Sequence, residues 1–127
     1  MIINVSISLG ELVDKVSILL IKEKKINDKH KLVLIRNELS LLKKTLEKFI
    51  NNNEIDTYLT NLIEINTKLW NIENSIRECE RKKIFDQDFI DLARSVYINN
   101  DQRSEIKNKI NKEFDSNIVE VKSYEKY

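Results

Sequence analysis

The chain has 127 residues, with 22 Lys and Arg against 21 Asp and Glu, one cysteine, one glycine and no proline. A net charge of +1 gives no global field to gather nucleic acid or an anionic membrane surface. A lone cysteine excludes an intramolecular disulfide framework and points to a reducing, cytoplasmic setting. The longest apolar run, Ile18 to Ile21, is far short of a membrane span, and no basic, apolar leader opens the sequence.

Residues 1–127 read as one all-α domain, an antiparallel bundle of four to five helices, with short strands at 1–7 and 118–124 where apolar and polar residues alternate. Ser8-Leu9-Gly10-Glu11 spells a capping box, and the first helix runs from there to about Lys25. Its main apolar face carries Leu9, Leu12, Val13, Val16, Leu19 and Leu20. Glu11, Lys15, Ile18 and Lys22 fall opposite, flanked by Asp14 and Ile21, so this helix is apolar on a second side. Gly10, the only glycine, permits a close backbone approach in the first turn.

A second helix is expected from Asn27 or Asp28 to near Ile50, with a seam of Leu32, Ile35, Leu39, Leu42, Leu46 and Phe49 in steps of three and four. After the loop Asn51-Asn52-Asn53, with Asn53 as cap, a third helix keeps the same rhythm from Ile55 to Cys79. A short loop predicts antiparallel packing of these two helices. Asp86 caps a shorter helix with Phe89, Ala93, Val96 and Tyr97 inward. Asn99-Asn100-Asp101 is expected to interrupt it, and a last helix carries Ile106, Ile110 and Phe114.

Three groups of residues carry chemistry. Trp70, Glu73, Arg77 and Glu80 form a stripe one step round from the third seam. Exposed, it is an ion-pair ladder; covered, it makes a polar pocket with Arg77 as anion contact and Glu73 or Glu80 as acid or base. Glu11 and Asp14, beside Lys15, stand one turn apart and suit Mg²⁺, though equally they are acids at a helix N-terminus. Arg94, Asn99, Asn100, Asp101, Arg103 and Lys107 surround the start expected for the last helix, where backbone N–H groups and guanidiniums suit phosphate or carboxylate. His30 lacks partners for a zinc site, and Cys79 reads as a small core residue.

The strings SLGELVDKVSILLIK, KLWNIENSIRECE, FIDLARSVYINNDQRSEIKNKIN and the terminal VEVKSY together resemble a family of small bacterial proteins of unknown function. The resemblance spans Ser6 to Tyr124. It implies that Glu11, Asp14, Lys15, Lys22, Trp70, Glu73, Arg77, Arg94, Asn100, Asp101 and Arg103 act together, and it supplies no activity. FDQDFIDLARSVYINNDQRS also resembles a segment of helical chorismate mutases, an analogy at the level of fold.

Two functions therefore stand. One is a homodimeric interaction or scaffold module, with the Ile18/Ile21 side meeting another helix or subunit. The other is an inter-helix site for an anionic small molecule, with Lys22, Trp70, Arg77, Arg94, Asn100 and Arg103 as ligand contacts and Glu73, Glu80 and Lys15 as candidates for catalysis. Neither a nucleic acid nor a membrane is expected as partner, and Mg²⁺ is the one cofactor in view.

Overall fold

The computed structural model describes residues Met1–Tyr127. Four helices form: α1 (Leu9–Lys25), α2 (Lys29–Glu47), α3 (Asn52–Lys82) and α4 (Gln87–Glu113). Ser8, Asp28 and Asp86 cap α1, α2 and α4 by accepting backbone N–H bonds from Glu11, Lys31 and Phe89. The capping box at α1 is half made, because Glu11 sends its carboxylate to Lys107 instead of back to Ser8. α3 begins one residue before the expected cap: Asn51 holds that position, without a side-chain bond.

The chain is all-α with four helices, not five. Asn99-Asn100-Asp101 lies inside α4, which runs unbroken. Each of these residues costs only about 0.6 kcal/mol against alanine in a helix, and Asn99 turns its amide to the Ser95 carbonyl at 2.7 Å. Neither residues 1–7 nor 118–124 form a strand. The two segments have no sheet to join, and a lone pair of strands has little stability in water. The C-terminal one instead runs back along α4, where Tyr127 stacks edge-on against Tyr97.

α1 packs against all three other helices. Its apolar face supplies Leu12, Val13, Val16 and Leu19 to a single core cluster with Ile35, Leu39 and Leu46 of α2, Ile55, Leu62 and Ile65 of α3, and Ile110 of α4. The seam expected on α2 is correct except at its end. α2 stops at Glu47, so Phe49 is three-quarters exposed and Ile50 is buried in its place. That seam lies along α1, and α2 does not run along α3 as the short loop suggested; the helix between them is α1. No helix is long and apolar enough to cross a membrane.

Candidate functional site

A second face of α1, made by Gly10, Asp14, Ser17 and Ile21 in steps of four, three and four, is buried as well. It meets α4 where a row of polar residues, Asn100, Arg103, Lys107 and Asn111, recurs at the same spacing. Gly10 makes the contact possible. A Cβ there would sit 2.5 Å from the Lys107 carbonyl oxygen, and the Gly10 N–H donates to Asn111 Oδ1 at 2.7 Å.

Asp14 is fully buried and has every oxygen engaged. Arg103 grips it with two bonds, Nε to Oδ1 at 3.0 Å and Nη2 to Oδ2. Asn66 of α3 donates to Oδ1 at 2.9 Å and to Ser17 Oγ at 2.8 Å. Lys107, also buried, lies 2.7 Å from Glu11, 3.9 Å from Asp14 and 3.3 Å from Glu120 of the C-terminal segment. The hydrogen bond to Asp14 raises the Arg103 pKa against the opposing effect of burial. Burial pushes Lys107 down, but its bond to Glu11 and the charges of Asp14, Glu11 and Glu120 together hold it above the ordinary lysine value. Both side chains are permanent cations at neutral pH, and the fork on Asp14 has the geometry in which such pairs are strongest.

Beside this network a groove opens between α1, α3 and α4, with a cavity of ≈ 510 Å³. Ile18, Ile21 and Leu69 give it an apolar floor. Trp70, Asn66, Asn74, Glu73, Arg77, Asn100 and Arg103 surround that floor. The second apolar side of α1 thus lies against its own chain: Ile21 is buried and Ile18 half-buried at the groove. Arg77 is bound to Glu73 one turn back, and both are exposed. Arg103 keeps one guanidinium edge, Nη1, free of Asp14 and 3.5 Å from Asn100 Oδ1.

Of the residues singled out in the sequence, Trp70, Glu73, Arg77, Asn100 and Arg103 come together here, and Asp14 stands behind Arg103. The others do not join them. Glu80 pairs with Lys83 on the surface, Lys15 is exposed, Lys22 is half-buried outside the lining, and exposed Arg94 sits beside Tyr97. The helix start expected around Asp101 does not exist, so no free N–H groups gather there for an anion. Glu11 and Asp14 lie one turn apart, but their oxygens face Lys107 and Arg103, and no three His, Cys, Asp or Glu side chains converge as a metal site. His30 is exposed and Cys79 half-buried. Asn66, Ser17, Asn111 and Asn74 were missed. For Asn66 and Asn111 the available signal was an amide recurring at core spacing on a helix.

The model of a family of unknown function, DUF6165, matches residues 3–127. The chain belongs to that family. No curated protein and no solved structure matches it. DUF6165 carries no activity in its description, so the chemistry of its groove is argued from the residues alone.

Proposed function

We propose that the groove binds a small amphipathic molecule bearing a carboxylate or phosphate. The observation that supports this is the meeting, in one cavity of ≈ 510 Å³, of the only tryptophan with two arginines and three asparagines over an apolar floor. Pockets of this size commonly take one small ligand, with an apolar wall for burial and a few polar groups for orientation. Arg77 is available at low cost, because an exposed i,i+4 ion pair is worth only about 0.3–0.5 kcal/mol. The free edge of Arg103, held in place by Asp14, provides a second fixed donor. Binding is favoured over catalysis: the lining contains no nucleophile, and its single carboxylate, Glu73, is the partner of Arg77. Mg²⁺, if it takes part, arrives with the ligand's phosphate, since Glu11 and Asp14 already answer cations of the chain.

Trp70 makes the test direct, because all tryptophan fluorescence comes from the groove wall. Titration with inorganic phosphate, nucleoside mono- and diphosphates and small dicarboxylates, with and without Mg²⁺, should give a saturable change with at least one compound. That change should disappear in Arg77→Ala. A response unaltered by Arg77→Ala, or none across the panel, overturns the reading. The interaction-module function draws its support from surfaces outside the groove.

A further inference from the structure

We propose that two copies of the chain associate through the outer halves of their α3–α4 hairpins, which together complete a four-helix bundle. α3 and α4 are 31 and 27 residues long, whereas α1, which covers their inner halves, has 17. Beyond Asn66 on α3 and before Ser104 on α4 no side chain is buried. α1 flanks these two helices only as far as the groove, to Arg77 on α3 and Asn100 on α4, so past those residues the tip of the two-helix hairpin stands out with no third helix beside it. Its outer surface carries Phe85 and Ile90 at 51% and 46% exposure, and Tyr97, one edge of which Tyr127 already meets, at 45%. Ile90, exposed Ala93 and Tyr97 are spaced three and four apart, the pattern of a helix-packing seam. Two helices cannot enclose such a seam; four can.

The surface area says how much remains to be covered. A folded chain of 15.1 kDa exposes roughly 7,100 Å² by the usual scaling, whereas this one exposes 9367 Å². The surplus of roughly 2,300 Å² exceeds the roughly 800 Å² that each partner gives to a standard interface. Among the helices, exposed apolar side chains gather on α2, with Val33, Leu34 and Leu41, and on the hairpin. Charge then selects between these last two for contact with an identical copy. α2 has five Lys and Arg against two Glu, so two α2 faces repel. The hairpin is close to neutral: Glu78 and Glu80 pair with Arg81, Lys82 and Lys83, and residues 72–98 carry five Lys and Arg against six Asp and Glu, so two hairpin faces meet without the repulsion of two α2 faces. A two-fold axis along the hairpin sets α3 of one copy beside α4 of the other, and every contact occurs twice.

Light scattering with sedimentation equilibrium on the full chain at about 10 µM should give twice the 15.1 kDa chain mass. Ile90→Asp and Phe85→Asp, both at exposed positions, should each weaken the dimer at least tenfold with circular dichroism unchanged, whereas Leu34→Asp on α2 should leave it intact. Hydrogen exchange of the unaltered protein at two concentrations provides a readout that needs no variant: amides of residues 72–98 should slow as the dimer fills, and those of α2 should not. A monomer at this concentration, or a dimer lost through Leu34→Asp and retained in Ile90→Asp, overturns the proposal.

Discussion

One methyl group at Gly10 tests the α1–α4 contact by the sign of its effect. Alanine in place of glycine normally stabilises a helix by about 1 kcal/mol, and the gain is smaller in a first turn. Here the new Cβ would meet the Lys107 carbonyl oxygen at 2.5 Å, with the Lys107 carbonyl carbon and Asn111 Oδ1 each at 3.0 Å. Two of these three atoms are main chain of an unbroken helix, so no rotamer change relieves the clash; α1 and α4 must move apart. Overpacking of this kind costs about 1–3 kcal/mol. Separation also stretches the bond from Gly10 N–H to Asn111 and the grip of Arg103 on Asp14. The clash outweighs the propensity gain, and Gly10→Ala should lose about 1–2 kcal/mol, a fall of about 4–8 °C in Tm for a chain of this size. Calorimetry with parallel urea titration would measure it. A Gly10→Ala protein that melts higher than the parent would refute the close crossing and the network built on it.

The two arginines of the groove should separate cleanly in stability. Arg103→Ala leaves Asp14 buried without its main partner and should cost about 3 kcal/mol or more, whereas Arg77→Ala should cost less than about 0.5 kcal/mol; urea midpoints at constant m-value decide between them. Asn66→Asp sets a second carboxylate about 2.9 Å from Asp14, so the variant should be strongly destabilised at pH 7 and recover part of the loss as pH falls towards about 4, because the pair raises the pKa of one carboxyl in the folded state and it takes up a proton. That trend would appear in thermal melts from pH 3 to 7, opposite to the fall usual for acid. Lys107 has its pKa raised on folding, so its contribution is fully present below the unfolded lysine value and is lost as pH rises through the higher folded one. Stability should therefore drop above about pH 10.4, and the drop should be shallower in Lys107→Met, measured as the difference in Tm between pH 9 and 11.

Much of the fold was legible where information is local. Caps at Ser8, Asp28 and Asp86, and apolar residues every third or fourth position, define three of the four helices to within a few residues. The break expected at Asn99-Asn100-Asp101 shows the limit of that reading. Residues that favour turns do not force one, and contact with α1 and α3 along the length of α4 outweighs about 2 kcal/mol of summed propensity. The groove was half legible: Trp70, Glu73 and Arg77 announced themselves as a stripe, and Ile18 and Ile21 as apolar residues out of place. Asp14 was set on the polar flank of α1, since its partners Arg103 and Lys107 lie 89 and 93 positions further along, and no local pattern reaches that far. What the pattern did contain was a polar row on α4 at core spacing, which makes sense only opposite a second polar row.

The position of Asp14 also orders events during synthesis. α1 leaves the ribosome first and can pair at once with α2, because that contact is between neighbours in sequence. Its other face waits for residues 103, 107 and 111, which are made about 90 residues later. At about 5–20 residues per second the carboxylate of Asp14 stays in water for several seconds, hydrated on one side of a two-helix intermediate. Only when α4 closes does it give up that water for Arg103. Ring closure over some 90 residues should then set the pace of folding, making this helical protein slower than bundles stitched from near neighbours. Of these four helices, the one made first is the last to be finished.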